Sequence, residues 1–242
     1  MAERNCLVTN DWICGEYVSS RSQELTDATL QHIGITLASV AIGLAVSLPL
    51  ALLARRWRFL SGPVLGVTTV LYSVPSLAMF SLLLPFFGLS VSLVVTGLVL
   101  YSLTVLVRNI LAGLQAVPDE ARDAAKGMGY GPLRLLWEVE LPLALPALLA
   151  GVRITTVSTV ALTTVGAIVD HGGLGTLILD GLDTTFKAQV LTASVLCVLL
   201  AVVADLLLLG LQRWLTPWTR VHRIRTNRAG REAAVAKVAE PA

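Results

Sequence analysis

The residues of this chain best suited to chemistry lie in the stretch 117–142, VPDEARDAAKGMGYGPLRLLWEVELP, a charged, glycine-punctuated segment between two long apolar runs. A charged helical hairpin of that kind between apolar runs reads as a surface for a soluble partner to grip. Pro118 opens a helix at its first turn. Asp119, Glu120 and Asp123 favour the positive end of its dipole, and Gly127, Gly129 and Gly131 end it. A second short helix over 133–139 then runs into Leu141 and Pro142 and the next apolar run.

Bond-making chemistry has no such constellation. A Walker-type phosphate loop needs a Gly-Lys dipeptide, and none occurs, so the chain does not bind ATP in that manner. His32, His171 and His222 fall in different regions with no cysteine or carboxylate at metal spacing, so each reads as a polar residue near an interface, with no metal site and no cofactor. Gly127-x-Gly129-x-Gly131 follows no strand and is not a dinucleotide fingerprint. No catalytic residue stands out, and the arginines of the far tail read as anchors near anionic lipid, not as a nucleic-acid site.

The elements that position the charged segment are read from hydropathy. Of 242 residues 55% are hydrophobic and 14% charged, with mean hydropathy +0.76, more apolar than a soluble core needs. Five runs, 31–54, 64–87, 91–107, 143–168 and 189–211, each approach the ~20 residues of a spanning helix. They lack period-2 alternation, and backbone polar groups cannot stay unpaired in lipid, so the expected class is all-α transmembrane, not a barrel.

Arginine placement sets an orientation. Arg55, Arg56 and Arg58 fill the first loop, and Arg213, Arg220, Arg223, Arg225, Arg228 and Arg231 follow the last run, while the loop over 170–187 is net acidic. The positive-inside rule then puts the amino terminus outside, the carboxy terminus in the cytoplasm and 117–142 on the cytoplasmic side. The organisation expected is an external segment over 1–28, a transmembrane domain over 29–216 and a basic cytoplasmic tail over 217–242. The first 28 residues have no signal-peptide pattern. Cys6 and Cys14 lie there at a spacing that either closes a small disulfide loop around Asp11 and Trp12 or leaves two free thiols in a mobile tail. Cys197 reads as a packing residue in the fifth run.

Within the second run, Pro75 and Pro85 each remove a backbone donor and are expected to kink or break the helix. Broken membrane helices are tolerated where they meet neighbours or a cavity, which makes Tyr72, Ser73, Pro75 and Ser76 candidates for a translocation path; the plain alternative is a packing kink whose hydroxyls bond their own backbone. Only Arg153 and Asp205 are charged well inside the runs, at similar depth, which points to a direct or water-bridged pair between the fourth and fifth.

Asp123-Ala124-Ala125, then Gly129, Val139 and Leu141-Pro142, resembles the EAA loop of the permease subunits of ATP-binding-cassette importers. That resemblance implies a five-span type I ABC importer permease fold whose loop forms a coupling helix docked in a groove of a separate cytoplasmic ATPase subunit. Glu120, Asp123, Ala124, Ala125, Gly129, Leu141 and Pro142 are then the expected ATPase-coupling residues. Softer matches, Pro75-Ser76-Leu77-Ala78, Leu84-Pro85-Phe86-Phe87-Gly88, Asn10-Asp11-Trp12-Ile13-Cys14, VELPLALP over 139–146, Gly172-Gly173-Leu174-Gly175 and Leu215-Thr216-Pro217-Trp218, resemble the osmoprotectant group of that family, which takes up glycine betaine, carnitine and choline.

The resemblance implies a transport component and no enzyme, since ATP hydrolysis belongs to the partner. It also implies a second permease copy or a homologous permease, an extracytoplasmic solute-binding protein, surrounding membrane lipid, a bacterial plasma membrane and alternating access. The alternatives are a permease of another import group, for amino acids, methionine or an organosulfur amine, and a self-contained channel or ion-driven carrier. The last would be expected to carry an acid relay within the spans.

Overall fold

In the computed structural model, residues 6–218 are described, and all their regular structure is helical. The expected tail lies outside the described residues except for Pro217 and Trp218. Two short helices, α1 (Cys6–Thr9) and α2 (Gly15–Ser20), lead into α3 (Ser22–Arg56). The bent pair α4 (Arg58–Ser73) and α5 (Ser76–Phe87) follows, then α6 (Val91–Gln115). The charged segment holds α7 (Asp119–Gly127) and α8 (Pro132–Leu135), and α9 (Leu141–Thr163), α10 (Leu174–Asp183) and α11 (Lys187–Leu215) complete the chain.

Among the described residues four helical stretches are long and apolar enough to cross a membrane, and a fifth crossing results if α4 and α5 count as one broken span. The expected five runs correspond to these elements with shifted bounds. α3 begins at Ser22, ahead of the apolar stretch, and α6 continues to Gln115, so the third span is longer than its hydropathy indicates. Arg108 therefore stands inside a spanning helix, which corrects the expectation that only Arg153 and Asp205 do so; its Nη2 donates to Thr69 Oγ1 at 2.8 Å.

The core forms where α3, α6 and α9 meet. Ala51, Ala54 and Ala144 lie with Val107, Ile110, Leu111 and Leu114 in one buried cluster, small side chains letting the backbones approach where no hydrophobic drive separates helix from lipid. α6 is buried along much of its length, whereas α11 buries only Ala188 and Ala193 and turns Val198, Leu206 and Leu207 outward. His32 is fully buried, and its Nε2 donates to the Val160 carbonyl at 3.1 Å, tying α3 to α9.

The break in the second span falls at Pro75 alone. The α4 and α5 axes bend by 100° there, because a residue before proline is driven extended, as Val74 is at φ −67° and ψ 129°. Pro85 sits inside α5 without a break, correcting the expectation of two kinks: it lies in the last turn, which the Gly88 N–H closes onto Leu84 O at 2.8 Å.

Candidate functional site

The charged loop gathers at one end of the bundle, where α3, α6 and α11 finish and α9 begins. Pro118 precedes α7 in an extended conformation and Asp119 and Glu120 occupy its first turn. The helix closes with paired bonds, Gly129 N–H to Lys126 O at 2.9 Å and Tyr130 N–H to Ala125 O at 3.1 Å. That closure requires a left-handed residue, and Gly129 supplies it at φ +81°. Ala125 packs inward at 1% exposure. Glu120, Asp123, Ala124, Gly129 and the large Met128 and Leu133 face out.

The expected separate helix over 133–139 is instead the start of one helical rod. α8 passes through a five-residue π turn, Leu136–Glu140, directly into α9. Pro142 explains the widening: it has no N–H for Glu138 O and its ring would crowd that carbonyl, so the ladder opens one residue wider and Leu141 N–H bonds Leu136 O. Leu141 and Pro142 thus sit half-buried in a continuous helix.

The widened turn holds Glu140 inward, only 4% exposed. A carboxylate so buried must be paired. Arg55 at the end of α3 donates Nη1 to Oε2 at 2.7 Å and Nη2 to Oε1, and Arg122 of α7 donates Nε to Oε1 at 3.0 Å. Arg122 also reaches Asp119 Oδ1 and the Leu114 carbonyl that ends α6, each at 2.6 Å. Burial alone would lower the pKa of Arg122, but the hydrogen bonds and charges of Asp119 and Glu140 outweigh it and hold the guanidinium charged. One ion network therefore joins α3, α6, α7 and α9. The sequence reading passed over Arg55, Arg122 and Glu140 as coupling groups; the signal was an acid just before Leu-Pro at the edge of an apolar run, with arginines at the ends of its neighbours.

At the bend, the freed Val74 carbonyl accepts from Tyr101 Oη, so α6 satisfies what the break exposes, and a second α6 hydroxyl, Thr104 Oγ1, donates to Thr68 O within α4. Tyr72 is half-exposed and stacks edge-on with Tyr101 at 6.1 Å. Ser73 spends its hydroxyl on Thr69 O at 2.8 Å. Pro75 starts α5, and Ser76 lines a groove of ≈ 410 Å³ with Thr164 and Leu179.

Arg153 and Asp205 form a two-pronged pair, Nε and Nη2 to the two carboxylate oxygens at 2.9 Å each, with Nη1 reaching Gln212 Oε1 at 3.3 Å. At the opposite end, Cys6 and Cys14 are joined by a disulfide with Cα atoms 5.5 Å apart. The loop it closes carries Asn10 at φ +53°; its Nδ2 donates to Thr185 O at 2.9 Å and its Oδ1 accepts from Lys187 N–H at 3.0 Å. Gly172 and Gly173 turn the chain into α10, Gly173 at φ +57°. Among the described residues no group of three or more His, Cys, Asp or Glu is placed to hold a metal ion.

Residues 33–221 match the family described as binding-protein-dependent transport system inner membrane component. The chain is 34% identical over 206 residues to the osmoprotectant import permease protein OsmW of Salmonella typhimurium, covering 83% of this chain and 96% of that protein. It is 35% identical over 204 residues to the glycine betaine/carnitine/choline transport system permease protein OpuCD of Bacillus subtilis, covering 84% and 89%. A chain of the MetNI methionine ABC transporter, solved in an inward-facing conformation, superposes with a TM-score of 0.73 at 21% identity, covering 81% of this chain and 98% of that one, a likeness of fold.

Proposed function

We infer, because this chain belongs to the family of binding-protein-dependent transport system inner membrane components, that it is the membrane-spanning permease of an ATP-driven importer for glycine betaine, carnitine, choline or related osmoprotectants. The substrate class rests on the similarity to OsmW and OpuCD. The chain is a transport component and not an enzyme. ATP is hydrolysed by a separate subunit.

The observation that carries the reading is the charged loop. α7 presents Glu120, Asp123, Ala124 and Met128 outward while Arg122 and Ala125 hold it to the bundle. A helix with one face open and the other locked to the ends of α3, α6 and α9 is suited to take motion from a docked ATPase and pass it to the spans. Gly129 turns the chain away, and Leu141 and Pro142 carry the push into α9. Alternating access follows: an extracytoplasmic binding protein delivers solute at the Cys6–Cys14 end, two permease domains enclose the path, and ATP closure reverses its opening. Tyr72, Pro75 and Ser76, at the bend, face that path in this reading, with the amino terminus outside and the carboxy terminus cytoplasmic.

Co-expression with an osmoprotectant-type ATPase subunit and solute-binding protein, then purification of the complex, tests the reading. Betaine, choline or carnitine should stimulate ATP turnover through the binding protein, and amino acids should not. Stimulation by methionine or another amino acid alone would overturn the substrate class.

A further inference from the structure

Beside the ion network, where the ends of α3 and α6 meet the start of α4, a cavity of ≈ 720 Å³ opens with Arg55, Arg58, Arg122, Ser61 and Gln115 in its wall. Three guanidiniums line it and no carboxylate does. Arg55 and Arg122 share Glu140, and Arg122 also holds Asp119, which projects into solvent. Arg58 has no hydrogen-bonding or ion-pair partner among the described residues, so one cation remains uncompensated at the mouth. Ser61 and Gln115 add a hydroxyl and an amide donor, so the wall is mainly polar.

The depth of the cavity indicates what fills it. α3 ends at Arg56 and α4 begins at Arg58, so the cavity lies at the ends of two spans, and the aromatics between and beside them, Trp57 and Phe59, are 47% and 74% exposed. Aromatic side chains so placed at the end of a span sit at headgroup level. Basic pockets between spans at that level recognise phosphate-bearing headgroups.

We propose that this cavity binds the phosphate of an anionic phospholipid headgroup, with Arg58 as its principal counter-ion. The same phosphate then lies against Arg55 and Arg122, the two guanidiniums that clamp the charged loop to the spans through Glu140. Lipid charge thereby reinforces the grip of α7 on the bundle.

The test uses the full chain in nanodiscs of phosphatidylcholine doped with phosphatidylglycerol, with retained lipid counted by native mass spectrometry. Arg58→Gln should weaken phosphatidylglycerol retention about fivefold, the loss of one cation at a membrane surface. Arg58→Lys should keep most of it, and Arg56→Gln, an equal charge loss outside the cavity wall, should leave it unchanged. Equal losses in R56Q and R58Q would mean diffuse surface attraction and overturn the site, as would full retention in R58Q. In discs of phosphatidylcholine alone, inorganic phosphate should neither bind in an Arg58-dependent way nor, in doped discs, displace the lipid. Either behaviour would overturn the lipid assignment in favour of a free anion. Because retention is read without ATPase or solute, these results stand apart from the transport reading.

Discussion

Arg122 and Glu140, on either side of the Gly129 turn, meet through Arg122 Nε and Glu140 Oε1 at 3.0 Å. The contact folds the charged loop back on itself and fixes α7 against the root of α9. Arg55 takes the rest of the carboxylate, and the Arg122 fork extends to Leu114 O, so a displacement of α7 cannot leave α3, α6 and α9 where they were. In the proposed coupling, the loop acts as a lever whose pivot is one buried acid.

Removing that acid strands Arg55 and leaves Arg122 with Asp119 and the Leu114 carbonyl alone. Glu140→Ala should cost about 2–3 kcal/mol, below the ~3–5 kcal/mol of a fully buried pair, since Arg55 and Arg122 keep some water. The expected outcome in the assembled complex is ATP turnover that no longer responds to solute, with Glu140→Gln milder because its amide oxygen still accepts. Solute-responsive turnover at the wild-type level in Glu140→Ala would refute the pivot.

Gly129 separates backbone strain from packing. Its φ is +81° and an added Cβ would meet nothing within 4 Å, so substitution acts only through the left-handed conformation, about 1–2 kcal/mol for an ordinary residue and more for a β-branched one. Gly129→Val should insert normally yet lose solute-stimulated ATP turnover, while Gly129→Asn, which tolerates that region, should retain most of it. Normal transport in Gly129→Val would sink the docking assignment for α7.

The fold class was legible in the sequence because hydropathy is a one-dimensional signal: long apolar runs without period-2 alternation allow little but spanning helices. Pro75 was legible as a break for the same local reason, the proline acting on Val74. What escaped is non-local. Pro85 is the exception, since the glycine that finishes its turn, Gly88, stands only three residues on. Arg108 was lost because the apolar run ends before the helix does. Glu140 looks like another surface acid of the loop, and its burial depends on Arg55, 85 positions away, and on a π turn imposed by Pro142. The loop motif was readable; the ion network behind it needed three-dimensional proximity.

The disulfide between Cys6 and Cys14 holds Asn10 in the left-handed conformation from which its side chain bonds both Thr185 O and Lys187 N–H. Asn10 thereby caps the start of α11 from far away in sequence, and its loss should cost about 1 kcal/mol. Membrane-impermeant maleimide applied to intact cells should label Cys6 or Cys14 only after reduction, and reduction should lower thermal stability in the wild type more than in Asn10→Ala. Labelling without reductant would refute the bridge, and equal destabilisation in both backgrounds would refute its link to the cap.

Arg153 and Asp205 set the last test. The pair lies well inside α9 and α11, with side chains 25% and 35% exposed, and an ionised group at a helix centre costs about 2.5–3.5 kcal/mol to insert. The two-pronged geometry and the Gln212 contact offset that cost only while both charges are present. Arg153→Met or Asp205→Leu alone leaves one charge facing an apolar surround, whereas the double variant leaves none. Each single variant should therefore reduce expression and melting temperature more than the double does, with an interaction energy in a double-mutant cycle of about 1–3 kcal/mol. Gln212→Leu should weaken the pair only slightly, since its bond to Arg153 is long at 3.3 Å. Additive losses in the double variant would mean that each side chain is hydrated on its own, and the pair would then contribute nothing to the register of α9 against α11.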